Sequence, residues 1–142
     1  MLVDFYHLTS APLEKVLPAI AEKVLASGER LIVVAGEPLL SRLDEQLWTY
    51  ARESFLPHGR AEAEAQPVLL ADAPVAANGA TNIALVDGVW RDAALGFGRT
   101  FYFFDASHLE EARTAWRALK GKTEAEARYW KQDERGKWVQ GP

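Results

Sequence analysis

Arg30-Leu-Ile-Val-Val-Ala35 is the stretch on which the fold turns. It is a near-continuous apolar run, rich in β-branched residues, with no alternation of polar and apolar side chains. Such a run suits a parallel strand covered on both faces, because a sheet with one wet face would alternate with period two. Upstream, Leu13, Val16, Leu17, Ile20 and Val24 recur at i, i+3, i+4, i+7 and i+11, the period of an amphipathic helix. Pro12 falls in its first turn and Gly28 stops it, while Pro18 inside it is expected to kink it or weaken it. Before that helix, residues 2–8 are apolar and aromatic and read as a strand. Downstream, Gly36-Glu-Pro38 opens a second helix whose Leu39, Leu40, Leu43 and Leu47 share one face. The order is therefore strand, helix, strand, helix.

Farther along, residues 54–66 hold Pro57, Gly59 and an Ala/Glu alternation, and read as a connecting loop. Pro67-Val-Leu-Leu-Ala71, Asn82-Ile-Ala-Leu-Val86 and Phe101-Tyr-Phe-Phe-Asp105 read as short buried strands, with a turn at Asp87-Gly88. Ser107 and Glu110 have capping-box spacing at the start of the last long helix, where each would satisfy the other's backbone N–H. Residues 129–132 and 137–140 flank Asp133-Glu-Arg-Gly136, a terminal hairpin with Gly136 in the left-handed region. The expectation is one α/β domain over residues 1–142, with a three-layer, Rossmann-like arrangement of a parallel or mixed sheet between helices and a C-terminal hairpin.

Composition narrows the function. With 49% hydrophobic and 25% charged residues, the 142-residue chain has the make-up of a globular domain. Its apolar runs fall far short of the roughly 20 residues of a membrane span. No basic region leads into an apolar segment at the amino terminus, so a cytoplasmic location is expected. The absence of cysteine excludes disulfides, thiolate metal sites and a cysteine nucleophile. Net charge is −4, but residues 107–142 carry 8 Lys or Arg against 6 Asp or Glu, while residues 1–106 carry 8 against 14. A local cationic region on an acidic body suits an acidic peptide better than a duplex, so no strong direct nucleic-acid binding is expected.

Catalytic motifs fail on inspection. Gly121-Lys122-Thr123 resembles the end of a phosphate loop, but Trp116 stands where its first glycine is required, and the motif follows a helix instead of preceding one. Gly96-Phe-Gly98 lacks the third glycine of a dinucleotide fingerprint. His7, His58 and His108 have no i+3 or i+4 ligand partner, Ser54 has no nucleophile elbow, and Asp44 and Glu45 diverge by about 100° on a helix. No catalytic residue, cofactor or metal site is assigned.

Two clusters suggest contacts. On the last helix Leu109, Ala112, Trp116 and Leu119 form an apolar stripe, beside a cationic stripe of Arg113, Arg117 and Lys120. Spacing alone leaves two readings, a core tryptophan with solvated cations or a shallow pocket with an indole wall and guanidinium donors. The second cluster runs from Leu47-Trp48 to Phe55-Leu-Pro57-His58, where loop aromatics either present an interface or tuck onto the sheet edge.

Arg42-Leu-Asp-Glu-Gln-Leu-Trp48 followed by Ser54-Phe-Leu-Pro-His58 resembles the signature of the chi subunit of bacterial DNA polymerase III. The likeness extends through Phe5-Tyr-His-Leu8, Leu31-Ile-Val-Val-Ala35, Pro67-Val-Leu-Leu-Ala71, Asn82-Ile-Ala-Leu-Val86 and the Ala112-Arg113 of the last helix. The resemblance implies a non-catalytic adaptor without cofactors, an accessory of the clamp loader within a DNA-directed DNA polymerase holoenzyme. It implies that Arg113, Trp116 and Arg117, with Lys120 of the same stripe, hold the acidic, Phe-ended C-terminal tail of the single-stranded-DNA-binding protein. It implies that Trp48 and Phe55, with Pro57 and His58, face the psi subunit or a repair helicase in its place. This chain departs from the family in having Leu109 where a lysine is usual and Trp116 where a tyrosine is usual, and Thr123-Glu-Ala-Glu-Ala127 where glycine is common. The competing expectations are a small-molecule or nucleotide-binding enzyme using the strand-end crevice, and a helicase partner acting mainly in repair.

Overall fold

The computed structural model describes residues 1–9, 12–49, 58–60, 63–122 and 124–141, without the side chains of residues 48, 49 and 63. In chain order the elements are β1 (Leu2–His7), α1 (Leu13–Ala26), β2 (Leu31–Val34), α2 (Leu39–Thr49), β3 (His58–Gly59), β4 (Val68–Ala71), β5 (Asn82–Leu85), β6 (Arg99–Phe104), α3 (Leu109–Lys120), β7 (Glu126–Gln132) and β8 (Trp138–Gln140). One eight-stranded sheet runs β3-β4-β2-β5-β6-β1-β7-β8, with every neighbour parallel except the β7–β8 hairpin. The expected α/β sheet with a C-terminal hairpin is the fold observed.

β2 lies between β4 and β5, and all four of its residues are fully buried, which is why its sequence shows no alternation. Leu31 and Val33 face the α1–α2 layer, while Ile32 and Val34 pack on the opposite face with Leu69, Ile83 and Leu85. The two faces follow from chain direction. α1 and α2 carry the chain toward the β3 edge, whereas α3 carries it from β6 past β1 to β7. Right-handed crossovers in opposite directions must cover opposite faces.

Local chemistry sets the ends of the elements. α1 stops in a Schellman arrangement, with Glu29 N–H donating to the Val24 carbonyl at 3.2 Å and Gly28 N–H to Leu25 at 3.0 Å. Gly28 takes φ +82° there, a conformation that disfavours any β-carbon. Pro18 is buried within α1, which continues past it to Ala26.

Two local expectations need correction. The capping box does not form: Asp105 Oδ1 accepts from Ser107 N–H at 3.0 Å and from its hydroxyl at 2.5 Å, while Glu110 turns to Arg113. The intervening residues Ala106–His108 form a 3-10 turn that moves the start of α3 to Leu109. The supposed loop at residues 54–66 contains β3, which pairs with β4 through His58 and Gly59.

Candidate functional site

Strand alternation and the α3 register meet in a groove between α3 and β7. Phe5 of β1 and Phe104 of β6 point to the α3 face and form its buried floor. Leu109 and Trp116 of α3 wall one side and Tyr129 of β7 the other, enclosing about 300 Å³. Trp116 meets Phe5 edge-on, with centroids 5.2 Å apart and planes at 80°. That geometry sets the positive edge of one ring against the negative face of the other. Trp90 braces the set from behind, stacked on Phe5 at 6.0 Å, and its backbone N–H donates to the Glu111 carboxylate of α3.

The groove is apolar inside and cationic at its rim. Arg113 and Arg117 line it, one helical turn apart. Arg113 is shared with Glu110, its Nη1 lying 2.8 Å from Glu110 Oε1 in an exposed pair. Arg117 makes no ion pair among the described residues. Lys120 lies outside the lining, with Nζ 4.8 Å from the centre of the Trp116 ring, a cation–π contact that keeps the indole against the groove. Behind Tyr129, its hydroxyl lies 2.9 Å from His7 Nδ1, and His7 stacks on Phe104 at 4.9 Å. Burial lowers the His7 pKa, with Asp105 pulling weakly the other way, and burial raises that of Tyr129 against the nearby Arg113. Both polar groups of this wall are therefore held neutral.

Of the four α3 residues singled out in the sequence, Arg113, Trp116 and Arg117 converge on the groove and Lys120 sits at its margin. The chain reading missed Phe5, Phe104 and Tyr129, because they come from three strands that only the sheet brings together. The signal open to a reader was the aromatic content of residues 5–7 and 101–104. Arg128 and Trp130, whose position the sequence left open, lie on the opposite face of the sheet, bonded to Asp4.

The second cluster is described in part. Trp48 lies in the last turn of α2, and Phe55 and Pro57 fall outside the described residues. His58 is fully buried at the sheet edge, with Nε2 3.3 Å from Asp44 Oδ1 and 3.2 Å from the Asp44 carbonyl. That contact ties α2 to β3.

The crevice at the carboxyl ends of the strands, where a nucleotide would be sought, is lined by Glu14, Asp87, Asp105, His108 and Arg42. Burial would raise the pKa of Asp87, but hydrogen bonds from Arg91 and the Gly36 N–H outweigh it and keep the carboxylate ionised. Three carboxylates against Arg42, with Arg91 already paired to Asp87, leave this crevice with a net negative charge that disfavours phosphate. Among the described residues, no helix is long and apolar enough to cross a membrane.

The family model of the DNA polymerase III chi subunit, HolC, matches residues 1–125, which takes in every element through α3 and stops short of the β7–β8 hairpin. No curated protein matches the chain. The match covers far more than half the chain and includes both clusters, so the chain belongs to the DNA polymerase III chi subunit family, accessory subunits of the polymerase that replicates DNA.

Proposed function

We propose that this protein is a non-catalytic, cytoplasmic adaptor that joins the replication machinery to coated single strands. The α3–β7 groove takes the acidic, Phe-ended C-terminal tail of the single-stranded-DNA-binding protein. The terminal phenyl ring enters between Trp116 and Tyr129, its carboxylate meets Arg117, and upstream acids meet Arg113 and Lys120. The end of α2 and the segment after it, with Trp48, Phe55, Pro57 and His58, take the psi subunit or a repair helicase. The observation that carries this reading is Arg117, an arginine with no carboxylate partner among the described residues, at the mouth of an aromatic cavity of about 300 Å³. A phenylalanine carboxylate supplies both the ring and the charge that this arrangement lacks.

Titration calorimetry with an acidic peptide ending in Phe tests the proposal. Arg117→Ala should weaken binding about tenfold or more, the loss of a charge-assisted bond of roughly 1.5–3 kcal/mol. Arg113→Ala should cost less, because that guanidinium must first leave Glu110. Replacing the terminal Phe of the peptide by Ala should abolish binding. A peptide that binds Arg117→Ala as well as it binds the parent rules the groove out.

A further inference from the structure

A second cavity lies on the opposite face of the sheet, between α1 and the β1–β7–β8 edge. It encloses about 500 Å³ and shares Tyr6, Ile20, Lys23 and Arg99 with a neighbouring cavity of about 600 Å³. Its floor is aromatic. The rings of Tyr6 and Trp130 lie side by side within 14° of parallel, 6.3 Å apart, and Trp138 stands edge-on to Tyr6 at 5.1 Å. Its walls carry Lys15, Lys23, Arg99 and Arg128 and, among the described residues, no carboxylate.

Beneath the floor, Asp4 is fully buried and orients the two arginines. Arg128 Nε donates to its Oδ1 at 2.7 Å, Arg99 Nη2 to its Oδ2 at 2.9 Å, and the Trp130 indole N–H to Oδ1 at 2.9 Å. The net stability from such a pair is small, because desolvating the carboxylate offsets the attraction. What it secures is position: Arg99 and Arg128 remain 40% and 28% exposed, held beside the aromatic floor. One carboxylate serves two arginines, and neither Lys15 nor Lys23 has an ion-pair partner among the described residues. The two lysines are exposed on α1, about 12 Å apart along its axis at 1.5 Å per residue.

We propose that this groove binds a short stretch of single-stranded nucleic acid, with bases against the Trp130 and Trp138 indoles and phosphates on Lys15, Lys23, Arg99 and Arg128. Tyr6 is flanked by Phe103 at 5.1 Å and by Trp130, so the ring surface left for bases is that of Trp130 and Trp138, and partly exposed indoles beside a row of cations are the two halves of sequence-tolerant strand binding. The adjoining cavity extends the groove but carries the Glu29 carboxylate, so phosphate contacts are confined to the first. Trp130, Trp138 and Arg128 lie beyond the residues matched by the family, so the site is built partly from this chain's own C-terminal hairpin. Four cations, two of them sharing the Asp4 carboxylate, leave about three net charges for phosphate, so the binding is weak and falls with salt at a log–log slope of about −2. That agrees with the net charge of −4, from which no tight complex with DNA is expected. Delivery to a coated strand by the opposite groove would raise the local concentration enough to use it, although the site itself does not depend on that groove.

Fluorescence anisotropy of a labelled twelve-residue oligothymidylate with the full chain tests the proposal. At 50 mM salt the expected dissociation constant is about 10⁻⁵ M, rising at 150 mM salt. The double variant Lys15→Glu, Lys23→Glu, both on the surface, should lose about tenfold or more, and Trp138→Ala about fivefold, with thermal unfolding unchanged in the lysine variant. No binding at low salt overturns the proposal, as does binding unaffected by these substitutions. Affinity lost in Arg117→Ala but kept in the lysine variant would assign the strand to the α3 groove instead. A thymidine monophosphate that binds as tightly as the oligomer would make this a free-nucleotide site, and an acidic peptide that binds here where the oligomer does not would make it a peptide site. Either result overturns the strand assignment.

Discussion

His7 sits behind Tyr129 in the wall of the α3 groove, where burial opposes adding a proton. Its folded pKa is depressed below 6.5, first by burial, with Asp105 opposing. The sign follows from linkage: below 6.5 the unfolded chain takes up a proton that the folded chain resists, so stability present above that pH is lost as pH falls through the lower, folded value. Denaturant unfolding between pH 7.5 and 5.5 should show stability falling with pH, and His7→Phe should flatten that slope. Equal slopes in the two proteins would remove His7 as the cause. At this scale the sequence was legible only where function and helix period coincide. Trp116 and Arg117 stand out because one helix carries both, whereas His7 and Tyr129 are 122 residues apart and meet only when β7 pairs with β1.

The start of α3 shows how an element can be read correctly in kind and wrongly in what caps it. Ser107 and Glu110 have the spacing of a reciprocal cap, yet the 3-10 turn at Ala106–His108 hands the capping role to Asp105. Asp105→Ala should therefore cost about 1 kcal/mol in denaturant unfolding, and Glu110→Gln should stay within about 0.5 kcal/mol. The reverse ranking would restore the box. β3 was illegible for a different reason: two residues are too few to show any period, and His58 reads as strand only because β4 offers a partner. The hairpin was legible in its turn, where Gly136 takes φ +80° and Asp133 Oδ1 accepts from Arg135 and Lys137 N–H at 2.9 Å. Its parallel pairing with β1 was not.

Across the whole molecule the two proposed protein-binding surfaces lie far apart. α2 covers one face beside β3 and β4, α3 covers the other beside β7, and six strand spacings of about 4.8 Å separate β3 from β7, roughly 29 Å. Sites at that distance with no shared partner should act independently. Trp48→Ala or Phe55→Ala should cost about 2 kcal/mol or more in capture of psi or of a helicase, read by co-purification, while peptide affinity stays within about 0.5 kcal/mol. Loss of both affinities in a variant of unchanged thermal stability would mean a single coupled site. The sequence by itself determined what depends on near neighbours along the chain: the β2 run that demands cover on both faces, the α1 period and its Gly28 stop, and the α3 stripe of Trp116 with Arg113 and Arg117. Only the tertiary structure decided strand order, and with it everything that strand order assembles. The aromatic floor of Phe5 and Phe104, the Tyr129 wall and the Asp4–Arg99–Arg128 cluster join side chains from β1, β6 and β7, more than 90 residues apart between β1 and either of the others. Register across a sheet is set by packing of whole faces, a sum over many residues that no local period encodes.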